Sequence, residues 1–179
     1  MSVSLNAFFA TCPLGLEQLL CNELHDLGAQ QLRETAAGVS FSGDDALMQR
    51  VCLMSRLSSR LLLVTARAEI TDAAELYEAA AAVAWEQWWD GRGSFAVSFE
   101  GVSPALKSPV FCAQKIKDAL CDRLRGKYGR RPDVDLSHPD VKLYGHLRGG
   151  RTLNFVLLVA EMIPAVAVPL SSPRGLPMA

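Results

Sequence analysis

Ten cations carry most of the chemistry this sequence can offer. Lys107, Lys115, Lys117, Arg123, Arg125, Lys127, Arg130 and Arg131 fall within 25 residues, opposed there only by Asp118 and Asp122, and Arg148 and Arg151 bracket a Gly-Gly pair further on. Cations gathered on one face neutralise phosphates and release counterions, which is the footprint of a nucleic-acid ligand. Lys115, Asp118 and Asp122 stand at helical pairing distance, so part of the charge is cancelled within the segment. Composition alone leaves two readings open: a phosphate-binding surface to which the Arg148–Arg151 turn contributes, or a solvated helix whose cationic end suits its dipole. Arg33 and Arg67, in the acidic half, are expected to matter much less. Trp85, Trp88 and Trp89 fall on one helical face. Stacking on unpaired bases is one use for them; packing at a helix end is the expected one.

Other chemistry is sparse. The sequence has no G-x-G-x-x-G, no P-loop and no H-E-x-x-H. His25 is expected on the polar face of a helix, His138 in a loop and His146 in a strand, with no nucleophile in a recognisable motif beside them. Asp133, Asp135 and Asp140 are spaced too sparsely for a hard-cation loop and read as turn and cap residues. Cys12, Cys21, Cys52, Cys112 and Cys121 are odd in number and lack C-x-x-C spacing, which points to reduced, semi-buried thiols. No catalytic residue and no metal ligand is assigned.

The elements that must position these residues follow from periodicity. Leu5–Thr11 reads as a strand. Pro13 suits the first turn of a helix, and Leu16, Leu19, Leu20, Leu24 and Leu27 follow at helical spacing to a stop at Gly28. Two strands near 31–35 and 38–42, a helix opened by Asp44 or Asp45, and a strand over 60–68 complete a β-α-β-β-α-β order, the ferredoxin-like arrangement. The second unit begins near Glu69. It holds a helix from Thr71 or Asp72 to the tryptophans and a half-buried strand over 94–100. A long helix follows from Pro109 to about Tyr128, its inner face carrying Phe111, Cys112, Ile116, Ala119, Leu120 and Leu124, with Gly126 and Gly129 at its end. Strands over 141–147 and 152–158 turn at Arg148–Arg151.

The chain has 179 residues, of which half are hydrophobic, and a net charge of -1, so whole-molecule charge names no partner. The halves differ. Residues 1–100 hold 6 Lys/Arg against 13 Asp/Glu, a net of -7, whereas 101–179 hold 12 against 6, a net of +6. This asymmetry suggests a basic surface on the second half. No basic region followed by a long apolar run opens the chain, so a cytoplasmic location is expected.

Three stretches are familiar together: Cys12-Pro13-Leu14-Gly15-Leu16-Glu17-Gln18-Leu19-Leu20, Gly38-Val39-Ser40-Phe41 and Ser55-Arg56-Leu57-Ser58-Ser59-Arg60. With Phe95–Phe99, Lys115–Ala119, Arg131–Asp135, His138–Val141 and His146-Leu147, they resemble the THUMP-containing ribosomal RNA guanine-N2 methyltransferases of the RlmL type. The resemblance covers about residues 6–155. It implies an α+β architecture, with a ferredoxin-like domain over 1–66 and a THUMP RNA-binding domain over 67–158. It also implies a front end that positions large-subunit ribosomal RNA, and S-adenosylmethionine for a Rossmann-like catalytic domain of which these residues show no trace. No cofactor is expected in this chain itself.

Residues 159–179 depart from the family pattern, with Pro164, Pro169, Pro173 and Pro177 among apolar residues. A truncated or frame-shifted end is the expectation, with self-association through an apolar segment too interrupted to span a membrane. The alternative to a methyltransferase front end is a free-standing RNA-binding adaptor serving a separate RNA-modifying enzyme.

Overall fold

A computed structural model describes residues 5–162. Residues 163–179, which hold nearly all of the atypical tail and the self-association expected of it, lie outside the described residues. In β1 (Asn6–Thr11), Phe8 and Ala10 are buried while Phe9 and Thr11 face the other way. Pro13 lies before the helix rather than in its first turn. Its carbonyl accepts the Leu16 N–H at 3.2 Å, Gly15 turns the chain at φ 89°, and α1 begins only at Glu17 and runs to Asp26. Leu20 and Leu24 form the buried stripe, and Leu19, one position off it, is exposed. The strands β2 (Gln30–Thr35) and β3 (Gly38–Gly43) pair as a hairpin. Asp44 caps α2 (Asp45–Met54) by accepting the Leu47 N–H at 2.7 Å. The Ser55–Arg60 segment is tied back to α1. The Glu23 carboxylate accepts from the Ser55 hydroxyl and from the Arg56 N–H at 3.1 Å. It leads into β4 (Arg60–Glu69).

The second half opens with α3 (Ala73–Ala82), whose cap is reciprocal. Asp72 accepts the Ala74 and Glu75 N–H groups, and Glu75 reaches back to the Thr71 N–H at 2.6 Å. The helix does not extend to the tryptophans. Val83 is extended, and Trp85–Gln87 form a single 3-10 turn, so the three indoles do not share a helical face. After β5 (Ser94–Glu100), Ser108 and Pro109 start α4 (Pro109–Tyr128), and Gly129 ends it in the left-handed region at φ 69°. Gly126 lies inside α4, and Phe111 is exposed while Cys121 takes a buried place. The short β6 (Asp133–Val134) precedes β7 (Val141–Arg148) and β8 (Thr152–Glu161). Gly149 and Gly150 turn between the last two at φ 59° and 73°, and the Arg148 carbonyl accepts the Arg151 N–H at 3.3 Å.

The strand expected to stop at 158 continues to Glu161. The reason is its partner: β4 is ten residues long and offers pairing from Glu69↔Thr152 to Arg60↔Glu161, with two irregularities in register. This pairing fuses both halves into one eight-stranded sheet, order β2-β3-β1-β4-β8-β7-β5-β6. The first four strands are antiparallel in ferredoxin-like order; β5 runs parallel to β6 and β7. The helices α1 and α2 bury Phe8, Val39, Phe41 and Leu61 in one core. The helices α3 and α4 bury Phe95, Phe99, Leu143 and Phe155 in a second, and Leu157 packs against both. No described helix covers the opposite sheet face.

Candidate nucleic-acid interface

The basic run does not form one uniform surface. Arg123, half-buried on α4, closes its fork on Glu86, with Nε–Oε2 and Nη2–Oε1 both at 2.9 Å. Its Nη1 also donates to the carbonyl of Ala81 at 2.8 Å, satisfying the end of α3. Lys127 reaches the same carboxylate at 3.1 Å. Held by the Arg123 guanidinium above all, the Glu86 carboxyl lies well below the usual carboxylate range, and the Arg123 pKa is raised in return. Lys117 pairs with Asp118 at 3.0 Å and Arg125 with Asp122 at 3.8 Å. Lys115 stands 5.6 Å over the exposed Phe111 ring. Arg130 donates to the Asp90 carbonyl at 3.2 Å.

Among the described residues, Lys107, Lys115, Arg130, Arg131, Arg148 and Arg151 have no carboxylate within 4 Å. They are also spread out. Lys107 precedes the N-terminus of α4, whereas Arg130 and Arg131 follow its C-terminus, some 30 Å away along 20 residues. Arg148 does not join them. Leu143 and Leu147 point into the helix-covered core, so Tyr144, His146 and Arg148, in alternation, face the other side of the sheet.

The aromatic and acidic candidates have structural uses. The Trp85 indole N–H donates to the Ala80 carbonyl at 2.8 Å, and its ring meets Phe155 edge-on with centroids 5.6 Å apart. Trp89 packs on Phe95, and Trp88 packs against the other core. Asp140 accepts from the Ser94 N–H and hydroxyl at 2.8 and 2.9 Å, which lowers its pKa, and Asp135 accepts from the Ser137 and His138 N–H groups. Among the described residues no group of three His, Cys, Asp or Glu is placed to hold a metal. His25 is exposed on α1. All five cysteines are unbridged, and burial pushes the thiols of Cys12, Cys21, Cys52 and Cys112 up. A raised thiol pKa makes a poor nucleophile.

The sheet face without helices was missed by charge counting. Arg33 from β2, Arg67 from β4 and Arg148 from β7 line one cleft of about 450 Å³ there. Period-2 alternation is the signal that could have found them, but it needs the strand order to bring residues 33, 67 and 148 together.

Comparison with known proteins agrees with this architecture. Residues 7–62 match the RlmL ferredoxin-like domain and residues 71–153 match the THUMP domain. The molecule is therefore a ferredoxin-like domain followed by a THUMP domain. The ribosomal RNA large subunit methyltransferase K/L of Aeromonas salmonicida is 45% identical over 144 residues, which cover 80% of this chain and 20% of that protein. The one from Pseudomonas aeruginosa is 43% identical over 150 residues, 83% of this chain and 21% of that protein. The chain is homologous to the ferredoxin-like and THUMP region of the RlmL-type ribosomal RNA methyltransferases, and spans about a fifth of the length of the curated relatives it matches. Among solved structures, a predicted N6-adenine-specific DNA methylase from Listeria monocytogenes shares the fold at TM-score 0.76 and 24% identity, covering 87% of this chain and 40% of that one. TrmN from Thermus thermophilus superposes at TM-score 0.67 with 25% identity, covering 88% and 46%.

No described helix is long and apolar enough to cross a membrane. The described residues also do not fit S-adenosylmethionine. That ligand calls for a glycine-rich turn between a strand and a helix, whereas Gly149-Gly150 joins two strands in a tight hairpin.

Proposed function

We propose that this chain is an RNA-binding front end that positions large-subunit ribosomal RNA for guanine-N2 methylation by an S-adenosylmethionine-dependent domain not among these residues. The observation that carries the reading is the unpaired positive charge of the THUMP half, at Lys107, Lys115, Arg130, Arg131 and Arg151, within a chain whose relatives are named for methylating that RNA. Cations without a carboxylate partner engage phosphates and position the nucleic acid without reading its sequence. Arg123, Arg125, Lys117 and Lys127 contribute field from within ion pairs.

The test is binding to protein-free large-subunit ribosomal RNA across a salt series. The logarithm of affinity should fall linearly with the logarithm of salt. Reversing Lys107, Lys115, Arg130 and Arg131 to Glu should weaken binding by at least about tenfold and flatten the slope. Circular dichroism checks that the variant is folded. An unchanged slope would remove these residues from the interface. Calorimetry with S-adenosylmethionine is expected to show no specific binding to this chain; micromolar affinity would contradict the reading.

A further inference from the structure

The sheet face opposite the helices is built differently from a solvated surface. Every residue lining its cleft lies on a strand or on the turn between β2 and β3. Phe9, Leu62, Val64 and Val156 make an apolar floor. Arg33, Arg60, Arg67 and Arg148 line it against one carboxylate, Glu100, an excess of three positive charges from four against one. Arg60 is held by Glu161 at 3.4 Å, and Glu100 lies 3.6 Å from His146. Arg33, Arg67 and Arg148 have no carboxylate within 4 Å among the described residues. Tyr144, half-buried on β7, adds an aromatic ring to the cleft.

We propose that this face seats an unpaired segment of RNA, with phosphates on Arg33, Arg67 and Arg148 and a base stacked on Tyr144. The proposal rests on the RNA-binding reading above and adds a second surface to it, one that spans both halves of the chain. The occupant follows from charge and shape. Unpaired strands are bound where cations track a backbone and aromatic rings take the bases. Arg33 and Arg148 are five strand steps apart, roughly 24 Å along the sheet at about 4.8 Å per step, a span suited to several nucleotides. An apolar floor with cations around it suits bases inward and phosphates outward, whereas a duplex keeps its base faces stacked inside and offers only phosphates, 2′-hydroxyls and base edges.

The experiment measures fluorescence anisotropy of the full chain with an oligouridylate of about 12 nucleotides, within the usual site size of single-strand binders, and with a duplex RNA of the same length. Changing Arg33, Arg67 and Arg148 together to Ala should weaken oligouridylate binding by at least about tenfold and lower the salt slope by about 2, since each single-strand phosphate contact contributes about 0.7. Y144A should weaken it by about tenfold with the slope unchanged, and Y144F should restore it, because stacking needs the ring and not the hydroxyl. The slope separates lost contacts from lost folding. Oligouridylate binding that survives the triple change but fails when Lys115, Arg130 and Arg131 are altered would overturn the sheet-face site and leave the RNA reading standing. Binding to neither RNA by the unaltered chain would overturn the RNA reading itself. A dimer of the unaltered chain that R67E dissociates, with oligouridylate affinity unmoved, would assign the face to a second copy and overturn the proposal.

Discussion

Arg123 sits in the middle of the basic run, yet its fork closes on Glu86 and its remaining donor meets the last turn of α3. A side chain so occupied works on stability before it works on a ligand. Arg123→Ala leaves a mostly buried carboxylate and a helix end short of donors. It should cost about 2 kcal/mol, the scale of a charge-assisted hydrogen bond, and lower the thermal midpoint by about 4–8 °C. Glu86→Gln probes the same pair through pH. The folded-state carboxyl is depressed, so its contribution is fully present above the unfolded value of about 4.5 and is lost as pH falls from there through the lower folded value. Urea unfolding should therefore show a difference between the native chain and Glu86→Gln that is steady from about pH 6 to pH 8 and shrinks below about pH 4. An equal difference at both extremes would mean that the pair contributes nothing through its charge.

At the scale of elements, close packing of α4 on the sheet depends on a residue without a side chain. A Cβ at Gly145 of β7 would come 2.6 Å from Ile116 Cδ1 and 2.8 Å from Phe99 Cδ2. Gly145→Val should force α4 off β7 and cost about 2 kcal/mol, in the range of overpacked cores, read as a lower urea midpoint. Gly126, within α4, is the opposite case, since nothing lies within 4 Å of a Cβ built there. Gly126→Ala should raise stability by about 0.5–1 kcal/mol, because the unfolded chain loses freedom and the helix gains a better former. A destabilised Gly126→Ala chain would show that α4 is bent or contacted at that turn.

The whole molecule is joined through β4 and β8, paired from Glu69↔Thr152 to Arg60↔Glu161, with Leu157 shared by both cores. Trp88 adds to this, since it leaves the THUMP half to pack against the ferredoxin-like core. Neither half can open without exposing a long strand edge of the other. Denaturant unfolding should accordingly be a single transition, with tryptophan fluorescence and far-ultraviolet circular dichroism coinciding. Two separated transitions would show that the β4–β8 seam is weaker than either core.

Most of the element order and the kinship with the RlmL type were legible in the sequence because they rest on local signals. Period 3.6 in Leu20 and Leu24, period 2 in Phe95 and Phe99, Asp44 and Asp72 as caps and the ordered short motifs all lie within a few residues of one another. The end of α3 before Trp85 was not legible, because Arg123, some forty residues on, supplies the donors that satisfy it. Nor was the length of β8, which follows from a partner strand in the other half. The basic run was plain as composition, but a sequence does not say which charges are cancelled. Glu86, far from Arg123 and Lys127 in the chain, meets both in space. Arg33, Arg67 and Arg148 share a cleft only because the strand order β2-β3-β1-β4-β8-β7 lays three distant segments side by side. Local periodicity decides which face of a strand a residue takes; only the pairing of strands decides which residues share that face.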